Sequence, residues 1–209
     1  MRMLFPKFCL GALAALTLVA CTTTQKTSEW RDPAYAGQKF NNVLVIGVAK
    51  EATVRRMFES NLVHGLKTNM NLKRISEKQL SAVPSYSIMN QHEKISEEAV
   101  EAAIAGKHFD AVLVTHLVGV EQKEVYRPPT YSAGIGYYGY YSAAHARVYE
   151  PGYYERYKVV KLETTLYDVK TKKPIWSMQS DTIDPQADEK LIKSAIDAVI
   201  KALSEQALI

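Results

Sequence analysis

Cys21 is the residue of this chain whose surroundings point most clearly to covalent chemistry. It directly follows the almost wholly apolar run 8–20, and Arg2 and Lys7 place positive charge ahead of that run. The run suits the apolar core of a secretory signal and is shorter than the about 20 residues of a membrane-spanning helix. We expect cleavage between the small residue Ala20 and Cys21, which removes the run and makes Cys21 the first residue of the mature chain.

The residues Leu18-Val19-Ala20-Cys21 resemble the lipobox of bacterial lipoproteins. The resemblance implies that Cys21 is diacylated on sulfur and, after cleavage, becomes an acylated N-terminus (palmitate is the typical chain). Stable anchoring does require more than one acyl chain. Residue 22 is Thr, not the Asp that retains such lipoproteins at the inner membrane, which implies the periplasmic face of the outer membrane. The alternative is an ordinary signal peptide or an uncleaved anchor with an incidental Cys21.

The cysteine count and the net charge limit the disulfides and the partners that this chain can have. Removing residues 1–20 takes away Cys9 and two basic residues, so the mature chain keeps one Cys, and 24 basic against 22 acidic residues leave a net charge of +2. Such a balance lacks the basic excess of nucleic-acid binding, and a single lipidated Cys leaves no disulfide. We expect one domain and no partner among nucleic acids.

Residue types that often form catalytic or metal sites are not arranged productively here. The histidines lack the i,i+4 spacing of a helical metal site, and His116 lies within an apolar strand, where a core or edge role is the ordinary interpretation. Gly47 lacks the Gly-Lys-Ser/Thr of a phosphate loop, and Ser132 lacks the glycines of a nucleophile elbow. Glu97 with Glu98 suits a solvated helix start. We therefore expect that the protein has no catalytic residue and binds no metal or cofactor, and that it is not an enzyme.

Residues 126–157 differ in composition from the rest of the chain. They hold 10 of the 13 tyrosines together with several glycines and prolines, and they contain no Leu. This composition predicts a long loop or extension at the outer end of the domain, away from the tether. The candidate interaction surface comprises Tyr131, Tyr137, Tyr138, Tyr140, Tyr141, Tyr149, Tyr153 and Tyr154. The alternative is a disordered loop whose tyrosines partly fold back on the domain.

The apolar patterns predict the elements that carry this segment. A continuous apolar run at 43–48 and the largely apolar segment 110–120 predict strands, and a weaker strand is expected near 79–83. The first helix has the apolar stripe Val54, Phe58, Leu62 and Leu66, with Arg55, Arg56, Glu59 and Lys67 off it. Ser96 caps a second helix, which Gly106 closes. Strands at 160–166 and 175–183 and a last helix at 192–203 complete the pattern.

The order β-α-β-α-β-β-β-α predicts an α/β (α+β) fold with a mixed sheet of about five strands and helices packed on one face. Strands joined through helices should be parallel, and the later hairpins antiparallel. The chain then divides into a signal peptide at 1–20, a tether at 21–40 and a single domain at 41–209 with the Tyr-rich insertion 126–157.

The hairpin Leu166–Ser177 resembles the Leu-Tyr-Asp, Lys, Trp-Ser hairpin of small proteobacterial envelope lipoproteins with a TolB N-terminal-like domain. The strand at 43–48 followed by residues 55–59, and the strand at 110–115, resemble the same family's other marks. Relatives of this shape include curli-secretion-type and penicillin-binding-protein-activating lipoproteins and many uncharacterised ones. The resemblance implies a fold and a location and no catalytic residues.

The sequence is compatible with three functions. The first is a non-enzymatic outer-membrane lipoprotein that binds an envelope protein or a cell-wall or lipopolysaccharide component through its domain and tyrosine segment. The second is a subunit of an oligomeric secretion or transport assembly, in which that segment is an assembly or membrane-inserting element. An envelope hydrolase is the third and the least favoured.

Overall fold

The computed structural model describes residues 24–37, 39–73, 79–89, 95–128, 137–149, 152–184 and 188–209. A short 3-10 turn at Ser85–Ser87 follows the third strand. The elements are β1 (Thr24–Arg31), β2 (Asn42–Val48), α1 (Ala52–Lys73), β3 (Ser81–Pro84), α2 (Glu97–Ile104), β4 (Ala111–Arg127), α3 (Tyr137–Tyr149), β5 (Tyr153–Asp168), β6 (Pro174–Asp184) and α4 (Asp188–Glu205). None of these described helices is both long and apolar enough to span a bilayer.

The six strands form one mixed sheet in the order β1-β6-β5-β4-β2-β3. Strand β2 is parallel to both β3 and β4, and every other pairing is antiparallel. The parallel strands are joined through α1 and α2, which are the crossovers that parallel pairing requires. The mixed α/β fold and the division into parallel and antiparallel pairs are confirmed, with one strand more than predicted.

The two faces of β2 are covered by different helices. Val43 and Val45 belong to the large core that contains the buried faces of α1 and α4. Leu44 and Ile46 face the other way and pack in a smaller core, against which Val100 of α2 is packed. A strand that is apolar on both faces needs cover on both. The prediction of helices on one face therefore holds for α1 and α4, whereas α2 lies on the opposite face.

The segment 21–40, predicted as a tether, contains the edge strand β1. Its backbone pairs with β6 from Thr24 opposite Thr182 to Arg31 opposite Trp176. The backbone N–H of Thr24 donates to Ser194 Oγ on α4 at 3.0 Å, and Arg31 Nη1 donates to a backbone carbonyl just beyond α4 at 2.6 Å. These long-range bonds hold β1 in place although its residues have no apolar pattern of their own. The prediction of a free tether is therefore wrong for residues 24–31.

Glu29 is the residue of β1 whose carboxylate connects this strand to β6. Its carboxylate accepts hydrogen bonds from Trp176 Nε1 at 2.9 Å and Lys26 Nζ at 2.5 Å. Burial raises the pKa of Glu29, but the hydrogen bonds from Lys26 and Trp176 outweigh it and hold the pKa below its ordinary value of 4.5. A lowered folded-state pKa adds stability above the unfolded-state pKa, and that stability is lost as pH falls through the folded-state pKa.

We expect Glu29→Gln to flatten the acid side of the stability profile. The amide keeps an acceptor for Trp176 but does not titrate, so the variant should lose less stability than wild type between about pH 7 and about pH 3.5. Urea unfolding at both pH values measures this difference. An equal acid-induced loss in both proteins would show that Glu29 does not contribute to it.

Candidate functional site

Helix α1 buries a different stripe from the one that its apolar spacing predicts. Phe58, Leu62 and Leu66 are buried as expected, but Val54 is 39% exposed. Arg55 and Glu59 are buried instead, with 4% and 0% of their surface exposed, although both were predicted to lie off the buried stripe. The prediction is wrong for these positions because the two side chains satisfy each other and the neighbouring backbone.

The Glu59 carboxylate is the centre of this buried polar cluster. Its Oε1 accepts from Gly47 N at 2.9 Å, Arg55 Nε at 2.9 Å and Ser85 Oγ at 2.6 Å. Its Oε2 accepts from the backbone N–H of Tyr86 at 2.9 Å. Arg55 Nη2 also donates to Ser85 Oγ at 2.6 Å. One carboxylate thus joins α1, the end of β2 and the turn after β3.

The Glu59 cluster lies at an edge of the sheet where ligand sites are common. Gly47 and Ser85 lie at the carboxyl ends of β2 and β3, the edge at which open α/β sheets commonly bind ligands. A general acid or base must reach the proton that it transfers. Glu59 is fully buried with both oxygens engaged, so its geometry suits a structural role. The i,i+4 spacing of Arg55 and Glu59 is the sequence signal that could have revealed the pair.

The second candidate is a projecting arm, which we define as residues 123–157. Strand β6 ends where Asp184 pairs with Lys158, and β4 and β5 continue beyond it as a two-stranded ribbon to the pair Arg127–Tyr153. The predicted long loop is thus wrong for much of its length, because the ribbon extends to Arg127 and resumes at Tyr153, and α3 lies between them.

Cross-strand pairs hold the ribbon together in place of a core. Arg156 Nε lies 2.5 Å from Glu124, and Arg127 Nε lies 2.7 Å from Glu155. The rings of Tyr126 and Tyr154 are 5.3 Å apart, and Gly152 N donates to the Tyr126 hydroxyl at 3.2 Å. Opposed charges and aromatic pairs are the contacts that stabilise antiparallel strands.

Most of the predicted tyrosine surface is gathered on this arm and exposed. The most exposed side chains are on α3, where Tyr138 is 84% exposed. Within the helix, Tyr141, His145 and Tyr149 form a row of neighbouring rings. The exposed tyrosines of the predicted set are Tyr137, Tyr138, Tyr140, Tyr141, Tyr149, Tyr153 and Tyr154.

The remaining predicted site residues lie outside this arrangement. Ala20, Cys21 and Tyr131 are outside the described residues. His116 is exposed and forms the last pair between β2 and β4. Of the two positions expected for it, it therefore occupies the edge and not the core. Within the described ranges, no three His, Cys, Asp or Glu side chains are grouped closely enough to hold a metal ion.

The arm leaves the sheet at the same end as the start of β1. Thr24 pairs with Thr182, Thr182 pairs with Val160, and Val160 pairs with Val120. The ribbon then continues past this row in the direction from Val120 to Arg127. The prediction that the tyrosine segment lies away from the tether is wrong, because the antiparallel pairing of β1 with β6 brings Thr24 to the arm's end of the sheet.

Comparisons with known proteins find structural similarity alone. No protein-family model matches the chain, and no curated protein matches it. The PelC dodecamer from Paraburkholderia phytofirmans is 15% identical, with 87% of this chain and 96% of that chain covered and a TM-score of 0.44. A leucine-to-methionine variant of the same dodecamer is 13% identical, with coverages of 87% and 95% and a TM-score of 0.41.

A further similar structure is the lipoprotein GNA1162 from Neisseria meningitidis. It is 13% identical, with 79% of this chain and 99% of that chain covered and a TM-score of 0.38. The TolB-like domain and the family stay predictions.

Proposed function

We propose that this chain is a lipid-anchored outer-membrane lipoprotein that faces the periplasm and acts as a non-enzymatic binding module for an envelope partner. The observation that carries the proposal is the arm, a hydrogen-bonded ribbon with α3 that projects beyond the sheet and exposes seven tyrosines of the predicted surface. The lipobox supplies the anchoring part of the proposal, through Cys21.

The arm's chemistry supports binding to a protein or to a cell-wall or lipopolysaccharide component. Tyrosine offers a large contact area and a hydroxyl, and it loses little side-chain entropy when it is fixed. Contiguous exposed aromatic surface is unusual on a soluble monomer and marks an interaction site. The polar cluster at Glu59, in contrast, is closed by its own hydrogen bonds, which favours a binding module over an envelope hydrolase.

A second candidate is a subunit of an oligomeric secretion or transport assembly. The observation that favours it is an apolar patch on β4 just past the last pair with β2, at His116. Leu117 is 51% exposed, and Val118 and Val120 are each 52% exposed. Because β2 no longer pairs there, this edge of β4 offers both apolar side chains and backbone groups to another copy.

Replacing residues 128–152 with Asn-Gly tests the proposal and separates the two candidates. Arg127 and Tyr153 are directly paired, so a two-residue hairpin can close the ribbon without changing its register. The variant should fold and anchor as wild type does but lose its envelope partners in cross-linking pull-downs from cells. Serine substitution of Lys170 and Lys173, in an exposed turn at the other end of the sheet, is the matched control.

The pattern of cross-linked products decides the outcome. Partners lost in the arm variant and kept in the control support the binding module. The same partners in both variants would show that the arm is not the binding element. Products that contain only copies of this chain, and that survive the replacement, would favour the oligomeric subunit.

A further inference from the structure

We infer that the arm rests on the membrane that holds the lipid anchor, with the tyrosines of α3 in the phospholipid headgroup region. This inference depends on the proposed anchoring at Cys21. For α3 it is an alternative to the protein or glycan partner proposed above, and the quenching experiment below distinguishes the two. The occupant of the exposed arm is the lipid surface itself, and the inference follows from the position of Thr24, the length of the ribbon and the composition of α3.

The connection between the proposed anchor at Cys21 and the sheet is short. Because β1 begins at Thr24, only three peptide units separate Cys21 from a residue that is hydrogen-bonded to β6 and α4. A fully extended chain of that length spans at most about 10 Å. The anchor therefore holds this end of the sheet close to the bilayer.

The ribbon of the arm extends well past the row of paired residues that contains Thr24. The row that contains Thr24 also contains Val160 and Val120. From Val120 to Arg127 the ribbon extends seven residues, or about 23 Å at the rise of a β-strand. This is more than the connection to Cys21 can span. Strands standing fully upright would push the tip about 13 Å past the bilayer surface. The sheet must therefore tilt until the arm lies along the headgroups.

Helix α3 lies at the end of the arm, because only three peptide units, about 10 Å at most, join Tyr149 to Gly152, which is hydrogen-bonded to Tyr126. Helix α3 contains no Asp or Glu, and it carries five tyrosines together with His145 and Arg147. Tyrosine is enriched at membrane–water interfaces because its ring is apolar and its hydroxyl is polar. Because α3 itself has no acidic residue, this helix avoids the repulsion that anionic phospholipids exert on carboxylates.

Most of the aromatic rings of α3 lie on one side of the helix. Tyr141, His145 and Tyr149 form a row at i,i+4 spacing, and Tyr137 continues that row by one turn. Tyr138 lies beside the row and is 84% exposed. An aromatic side of this kind suits a helix that lies in the plane of the headgroups with that side toward the acyl chains.

A single-cysteine fluorescence experiment tests this orientation. The processed chain keeps only the acylated Cys21, so an added cysteine is the one free thiol. Full-length Tyr140→Cys, lipidated in cells and labelled with NBD, is reconstituted in vesicles of phosphatidylethanolamine and phosphatidylglycerol. Lys170→Cys, at the opposite end of the sheet, is the matched control, and Tyr149→Cys replaces Tyr140→Cys if the latter does not fold.

Phospholipids brominated near the headgroup should quench most of the NBD emission at residue 140 and leave residue 170 unquenched. Vesicle flotation is measured on the same samples. Protein that floats while residue 140 is as little quenched as residue 170 overturns the inference and leaves the anchoring intact. Protein that fails to float shows that Cys21 does not anchor the chain, which overturns the anchoring part of the proposed function and this inference with it.

Discussion

Glu59→Ala should lower the free energy of unfolding by about 3–5 kcal/mol, because removing one partner of a buried ion pair leaves the other uncompensated. Arg55 is 4% exposed and would keep its charge without the 2.9 Å contact to Oε1. The backbone N–H groups of Gly47 and Tyr86 would lose their acceptors as well. Urea unfolding of the folded domain measures the difference.

Arg56→Ala is the matched control for this prediction. Arg56 is the exposed neighbour of Arg55 on the same helix, so its loss should change stability by no more than about 0.5 kcal/mol. A Glu59→Ala variant as stable as Arg56→Ala would mean that the cluster contributes little to stability.

The double variant Arg55→Met with Glu59→Met separates the ion pair from the backbone bonds. Replacing both charges with apolar side chains removes the uncompensated guanidinium, and exchanges of this kind are often tolerated. The N–H groups of Gly47 and Tyr86 still lack an acceptor, and each such loss carries its own desolvation cost. We therefore expect the stability of the double variant to lie between wild type and Glu59→Ala.

The apolar pattern predicts the central sheet well because burial determines that pattern. Both faces of β2 are covered, and its run from Val43 to Ile46 has no polar residue. The same reasoning fails for α1, since Arg55 and Glu59 are polar residues at buried positions. Periodicity assigns a side chain to a face by its polarity, and it does not detect a partner that arrives from β2 or from the turn after β3.

Two further elements escape prediction because distant residues stabilise them. Strand β1 has no apolar alternation, and its side-chain bonds connect Thr24 with Ser194 and Glu29 with Trp176, across 170 and 147 residues. The arm likewise owes its ribbon to pairs such as Arg156–Glu124. The composition of residues 126–157 draws attention to a segment whose described tyrosines are mostly exposed. It gives neither the ribbon nor the direction in which the ribbon projects.

Cys21→Ser should abolish stable membrane attachment of the processed protein. Each acyl chain contributes about 0.8 kcal/mol per buried CH₂ group, and two chains together make an anchor that interfacial side chains do not replace. The tyrosines of the arm can orient an anchored domain, but exposed rings on one helix should hold it only weakly. The processed variant should therefore move to the soluble envelope fraction.

Cys9→Ser is the matched control, because Cys9 lies in the segment that cleavage removes and its loss should leave attachment unchanged. Mass spectrometry is needed alongside fractionation, since a variant that escapes cleavage would remain attached through the apolar run 8–20. An uncleaved Cys21→Ser precursor or a soluble processed product each agrees with lipidation at Cys21. A processed Cys21→Ser product that stays on the membrane contradicts it, because the domain would then attach through a surface of its own.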